Sequence, residues 1–195
     1  MTRVLAFLQP GMADWEAGPV LAGLREHLDA EVRTASPDGA PVVTIGGLKV
    51  TPDLSYGDVG PDDADAFLVI GSDQWPIFRG EDFLTTLREA AAGGKIVAGI
   101  CGGVVPLARA GVLEGRAHTS NGRDWLQSHA PGYGGSDRYQ DTAGAVTDGR
   151  VVTASGLAPI TFAAAVFRLA APDQPLAESY QAMFARELQG LEAAL

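Results

Sequence analysis

The chain carries a single cysteine, Cys101, and its surroundings suit it to chemistry. It lies in Lys95-Ile-Val-Ala-Gly-Ile-Cys-Gly-Gly-Val-Val-Pro-Leu-Ala-Arg-Ala110, where an apolar run passes through Gly99-Ile100-Cys101-Gly102-Gly103 into a helical pattern. This is the small-x-nucleophile-x-small arrangement of a nucleophile elbow. A sharp strand-to-helix turn puts its apex residue in strained backbone geometry and leaves no room for bulk two positions to either side. The apex then sits at a helix N-terminus, where the dipole and free N–H groups favour a thiolate. A lone cysteine at a strand end is otherwise a buried, inert residue. The flanking glycines and the strand-to-helix context favour the reactive thiol.

The elements that must position this residue are legible in outline. Val4–Leu8, Phe67–Ile70 and Ile96–Ile100 are short apolar runs stopped by Gly or Pro, which favours buried strands. A fourth strand, Ala30–Thr34, follows the first helix. That helix is predicted from about Trp15 to Leu28, with Asp14 as N-cap and Val20, Leu21, Leu24 and Leu28 at helical spacing; Pro19 would move its start later. Further helices are predicted from Phe83, Leu84 and Leu87 to Gly93-Gly94, over Val104–Val112, over Ile160–Ala170 behind Pro159, and over Gln174–Leu195. Pro41–Thr51 reads as a hairpin around Gly46-Gly47, and Ala143–Ala154 as a second around Asp148-Gly149. Strands alternating with helices predict an α/β fold, with a mostly parallel sheet covered on both faces and right-handed crossovers. The site is then expected beyond the carboxyl ends of the strands. No repeat, charge block or linker divides the chain, so one domain over residues 1–195 is expected.

Cys101 and its neighbours resemble the ThiJ/PfpI family, a branch of the class I glutamine amidotransferase-like superfamily that includes the parkinsonism-associated protein deglycase. Gly11-Met-Ala-Asp-Trp-Glu16 is similar to the family's acid-bearing turn. Ile70-Gly71-Ser72-Asp73-Gln74-Trp75 resembles a variant of its Pro-Gly-Gly turn, Gly115-Arg116-Ala117-His118-Thr119-Ser120-Asn121 the segment carrying its histidine, and Val152-Thr-Ala-Ser-Gly156 its closing strand. Each motif is weak alone; their order and spacing are specific together. The resemblance implies a three-layer, flavodoxin-like α/β/α sandwich. It implies Cys101 as nucleophile and Glu16 as a protonated acid beside it, donating to the thiolate and lowering its pKa. It also implies an oxyanion hole from the amides of Gly71, Ser72 and Gly102, and a homodimer. From the residues alone, Glu16 is simply an acid suited to the first turn of a helix.

The chain departs from the family in the Ile70-Gly71-Ser72 turn, whose backbone amides are retained, and with more consequence at the family's histidine. With Gly115-Arg116 placed on the family's Gly-Arg, the histidine position falls on Asn121, which cannot act as a general base. His118 lies three residues earlier, on the opposite face of a strand, and enters the pocket only if the register differs locally. His27 is expected late in the first helix and His129 in a loop. Amidotransferase and protease chemistry need a nucleophile–base pair, so both are disfavoured. Trp15, Trp75 and Trp125 each sit beside a loop of this set; they are candidate walls of an apolar pocket over Cys101 and equally candidate core residues.

Composition removes other classes. The chain has 195 residues, 46% of them apolar, and a net charge of −10. The charge argues against phosphate-backbone binding, and the length suffices for a core burying about 70% of the unfolded surface. One cysteine makes neither an internal disulfide nor a thiolate zinc site. No Gly-x-Gly-x-x-Gly follows the first strand, so no dinucleotide site is expected, and the Asp62-Asp63, Asp65 cluster lacks a calcium-loop pattern. No segment has the length of a signal-peptide core or a membrane span. The expectation is a cytoplasmic protein without cofactor or metal. With the resemblance, a reactive thiolate beside an acid implies action on a small electrophile such as a 2-oxoaldehyde, by glyoxalase, deglycase or hydratase chemistry. The alternative is a non-enzymatic oxidative-stress sensor or chaperone-like protein whose cysteine is oxidised to sulfinic acid.

Overall fold

The computed structural model describes residues 1–192. Its strands are β1 (Arg3–Phe7), β2 (Glu31–Ser36), β3 (Val42–Val43), β4 (Lys49–Val50), β5 (Leu54–Ser55), β6 (Ala66–Val69), β7 (Ile96–Ile100), β8 (Val146–Asp148) and β9 (Val151–Ala154). Its helices are α1 (Asp14–Leu28), α2 (Glu81–Ala92), α3 (Val104–Arg109), α4 (Arg123–His129), α5 (Pro159–Ala170) and α6 (Leu176–Glu192).

Seven strands form one sheet in the order β5-β2-β1-β6-β7-β9-β8, parallel throughout except for the edge strand β8. The central strands read as unbroken apolar runs because both of their faces are covered. Side chains alternate between those faces. Val4, Ala6 and Leu8 join the core beneath α1 and α5, whereas Leu5 and Phe7 join the core beneath α2 and α3. On the first side α5 packs against both α1 and α6. The result is a flavodoxin-like α/β fold with helices on both faces.

The chain leaves β1 for β2 on one side and later enters β6 on the other. The topological switch therefore falls between β1 and β6. Crevices that bind ligands form beyond the carboxyl ends of strands at such a point. The segments carrying Glu16, Gly71-Ser72 and Cys101 follow β1, β6 and β7 respectively, and all open there.

Several local expectations change. Helix α1 begins at Asp14 rather than after it, Ala13 holds the N-cap position without a side-chain bond, and Pro19 lies inside the helix. The Asp14 carboxylate instead accepts the Gly46 N–H at 2.7 Å and ties the β3–β4 hairpin to α1. That hairpin pairs Val43 with Lys49, so residues 44–48 form its loop, not Gly46-Gly47 alone. In the second hairpin Asp148 pairs with Val151, which moves the two-residue turn to Gly149-Arg150. The third helix ends at Arg109, after a 3-10 turn over Cys101–Gly103. His129 is the last residue of α4, a helix that the sequence reading does not contain. The last residues of the helix expected to reach Leu195 lie outside the described residues. Among the described residues no helix is long and apolar enough to cross a membrane.

Candidate functional site

Cys101 occupies the apex of the turn from β7 into α3 with φ of 56°. A non-glycine residue in this left-handed region costs about 1–2 kcal/mol, and such strain persists only where the surroundings impose it. Here they do so by close approach. A Cβ at Gly103 would stand 2.1 Å from the Val69 carbonyl oxygen, and one at Gly102 would stand 2.3 Å from the Ser72 carbonyl oxygen. The turn is thus pressed against the end of β6 and the loop behind it, and the Cys101 side chain is left pointing into the crevice, half-buried.

Glu16 reaches the thiol from the first turn of α1. Its residue is fully buried. Oε2 accepts the Gly71 N–H at 2.9 Å. Oε1 is buried with no nitrogen or oxygen partner among the described residues. A Cβ at Gly156 would lie 2.8 Å from that Oε1 and 2.9 Å from Cys101 Sγ, so oxygen and sulfur share one small space. Gly71 admits this contact because it has no side chain: a Cβ there would sit 2.1 Å from Glu16 Oε2.

Asn121 approaches the sulfur from the other side. Its Nδ2 donates to Cys101 Sγ at 3.2 Å, and its Oδ1 accepts the Gly156 N–H at 3.0 Å. The second bond fixes the amide's orientation, since only oxygen can accept from that N–H. Asn121 therefore offers the sulfur a donor and never a base. Its loss has a measurable consequence. A hydrogen bond to a charged group is worth about 1.5–3 kcal/mol, so Asn121→Ala should raise the midpoint of Cys101 alkylation by about one pH unit or more. An iodoacetamide rate–pH profile checks this, and an unchanged midpoint would remove Asn121 from the account.

Electrostatics ties the acid and the thiol together. Burial pushes the Glu16 carboxyl up to about 7, against hydrogen bonds from Cys101 and Gly71 that pull it down, and the Asp73 charge adds to the rise. Burial, then the Glu16 charge, pushes the Cys101 thiol up to about 11, while Asn121 and the Gly102 amide pull it back. The two values belong to the pair and not to either residue: one proton leaves near 7 and the other near 11, and between these limits the site carries one negative charge.

Trp15, Glu16, Cys101, Asn121, Ser155, Gly156 and Leu157 line a pocket of about 280 Å³. Two of the residues expected there lie elsewhere. Trp75 is fully buried, donates from Nε1 to the Ile70 carbonyl at 2.6 Å, and stacks within the cluster of Tyr56 and Phe83. His118 is fully buried between Tyr133 and Tyr139, with its ring nitrogens bound to the Arg116 carbonyl and the Tyr133 hydroxyl. Burial holds its imidazole below the usual range, hence neutral. Gly71, expected among the oxyanion donors, gives its N–H to Glu16 instead. Ser72 and Gly102 remain: the position of a Gly102 Cβ is 3.2 Å from Ser72 N, so the two backbones touch. Trp125 packs over His129 in α4 and is not part of the pocket lining.

One supporting residue carried no sequence signal. Arg109, at the end of α3, donates to the carbonyls of Trp75, Pro76, Phe78 and His129 at 2.6–3.1 Å. It binds the loop that follows Ser72 to the helix that follows Cys101.

Comparison with known proteins places the chain in a family and matches its fold. The model of the DJ-1/PfpI family matches residues 2–169. The chain belongs to the DJ-1/PfpI family. It is 32% identical over 173 residues to an uncharacterized protease of Bacillus subtilis, covering 85% of this chain and 82% of that one. It is 34% identical over 119 residues to a deglycase of Thermococcus kodakarensis, covering 60% and 71%. The crystal structure of a DJ-1 superfamily protein from Agrobacterium tumefaciens superposes with a TM-score of 0.88 at 38% identity, over 96% of this chain and 99% of that one. The Agrobacterium tumefaciens protein thus shares this fold over nearly its whole length.

Proposed function

We propose that this protein is a cofactor-independent enzyme in which Cys101 adds to a small electrophilic carbonyl, with a 2-oxoaldehyde as the model substrate. The reading rests on one observation: a strained, half-buried thiol stands between a buried carboxyl and an amide donor at the floor of a pocket. The single proton that the pair holds above pH 7 rests on Glu16. A carboxylate there would have only the Gly71 N–H and the thiol as donors. A thiolate has the Asn121 amide, the Gly102 N–H and the protonated Oε1.

The chemistry then balances within the site. The thiolate attacks the aldehyde carbon, the C–S bond forms, and the carbonyl electron pair moves to oxygen. The Ser72 and Gly102 amides hold that oxyanion, and Glu16 delivers its proton, giving a hemithioacetal. The Glu16 carboxylate next takes the proton from the same carbon and returns it to the neighbouring one, while the hydroxyl proton passes to the neighbouring oxygen and the first oxygen becomes the thioester carbonyl. The resulting thioester is hydrolysed by water to a 2-hydroxy acid and the free thiol. Oxidation at one carbon is matched by reduction at the next, so the net change is addition of one water.

The test is a parallel screen of small 2-oxoaldehydes, isonitriles and amides against wild type and Cys101→Ser. Wild type should consume a 2-oxoaldehyde, and the variant should be at least about 10³-fold slower. No turnover of any of them, together with clean conversion of Cys101 to sulfinic acid by mild peroxide, would replace this reading by the redox-sensor one.

We also infer a homodimer. Val43, Ile45 and Leu48 on the β3–β4 hairpin are exposed. Beside them an apolar groove of about 360 Å³ runs along α1, lined by Leu8, Met12, Ala17, Leu21 and Val50 among others. A second copy would cover this surface. The charge of −10 opposes association, but salt screens it beyond about 8 Å while apolar burial persists. Light scattering after size exclusion should give twice the chain mass of 20.2 kDa at moderate salt. A single chain mass at both low and moderate salt would contradict the dimer.

A further inference from the structure

The wall of the Cys101 pocket has a composition that restricts what can enter. Trp15 is half exposed, and its Nε1 donates to the Gly156 carbonyl at 3.0 Å, which pins the indole at the pocket mouth. Leu157 lines the same pocket and is 94% exposed. A large aromatic side chain, half exposed, and a large aliphatic one, almost wholly in water, thus line one pocket. Burying such surfaces is the main source of affinity for a small ligand.

The charges point the same way. None of the pocket's lining residues is Arg, Lys or His. The acidic groups bearing on it are Glu16, at its floor, and Asp73, whose charge acts on Glu16. A carboxylate-bearing compound would bring a second anion within a few ångströms of the thiolate, with no cation to receive it. Repulsion at that range in a partly dry site is worth a factor of about 100 or more.

We propose that the site selects neutral electrophiles carrying an apolar substituent, seated between Trp15 and Leu157, and excludes those carrying a carboxylate. This deepens the functional proposal and rests on Cys101 being the nucleophile. Aryl- or alkyl-substituted 2-oxoaldehydes are then the substrates expected to be taken, and 2-oxo acids such as glyoxylate are expected to be refused.

The test needs no turnover. Rates of Cys101 alkylation by iodoacetamide, iodoacetate and N-phenyl-iodoacetamide are measured for the whole protein and divided by the rates of the same reagents with N-acetylcysteine. Iodoacetate should fall about 100-fold behind iodoacetamide on this scale, and the aryl reagent should lead it by about 10-fold. Leu157→Arg, at a side chain already in solvent, should recover iodoacetate by at least 10-fold relative to iodoacetamide. Met183→Arg makes the same change of net charge on the exposed surface of α6 and should leave the ratio unaltered. Trp15→Ala should abolish the aryl preference. Fast alkylation with all three corrected rates equal would overturn the selectivity while leaving the nucleophile in place. Equal recovery in both arginine variants would attribute the exclusion to overall charge and overturn it as well. Uniformly slow alkylation by every reagent would remove the nucleophile reading and this inference together.

Discussion

Gly103→Ala should destabilise the protein by about 3 kcal/mol or more, the upper range for overpacking a core. The added methyl would stand 2.1 Å from the Val69 carbonyl oxygen. That atom belongs to β6, which is paired on both sides with β1 and β7, so it cannot retreat without breaking the centre of the sheet. For a chain of this length such a loss lowers Tm by roughly 6–12 °C. Gly18→Ala provides the contrast. Gly18 lies within α1 and has nothing of its own chain within 4 Å of the added atom, though it lines the groove along α1, so in dilute single chains the higher helix propensity of Ala should add up to about 1 kcal/mol. Thermal melts of the two variants check both signs. A Gly103→Ala protein that melts with wild type would mean that the elbow is not pressed against β6, and the strain at Cys101 would lose its cause.

Glu16→Gln should make the protein more stable in mild alkali and no more stable in acid. In the folded chain the Glu16–Cys101 pair keeps both of its protons up to about 7, whereas in the unfolded chain the Glu16 carboxyl gives up its own at the ordinary value of 4.5. The folded state therefore binds this proton more tightly than the unfolded one. The stability it contributes is fully present below about pH 4.5 and is lost as the pH rises through about 7. The difference amounts to about 3 kcal/mol at pH 8. Gln keeps the shape, accepts the Gly71 N–H through its oxygen, turns its amide toward the sulfur and has no proton to lose. Denaturant midpoints at pH 4.5 and pH 8 should converge at the lower pH and separate at the higher, with the variant ahead. A gap that does not change with pH would show that Glu16 is not a buried acid of this kind.

What was legible in the sequence follows from how local each signal is. The strands β1, β6 and β7 announce themselves because a strand buried on both faces is an uninterrupted apolar run. The elbow is legible because close packing against β6 demands small residues at fixed positions around Cys101. Pro159 marks the start of α5 because its missing N–H costs nothing there. Helix α4 was not legible: it is short and polar, and only Leu126 among its residues is buried. Nor was the part Asp14 plays, since its partner Gly46 lies 32 positions away. Arg109 is the extreme case, with carbonyl partners between 20 and 34 positions distant. Trp75 shows the opposite limit. Its place beside Gly71-Ser72 in the chain suggested a pocket wall as readily as a core residue, but the turn that follows β6 carries the indole into the core among Tyr56 and Phe83. The position of Asn121 was legible by alignment to the family segment. That its amide would be locked by Gly156, and so turned donor-first to the sulfur, was not.

The measurement that bears most directly on the central claim is the rate of Cys101 alkylation by iodoacetamide as a function of pH. The claim is that Glu16 and Cys101 share one proton at neutral pH and that this proton sits on the acid. The first proton should then leave the pair near pH 7 and leave a thiolate behind. The rate should rise with a midpoint near 7, below the free-thiol value of about 8.5, and reach a plateau before pH 9. A midpoint at or above 8.5, and above all one near 11, would place the proton on sulfur and contradict the account.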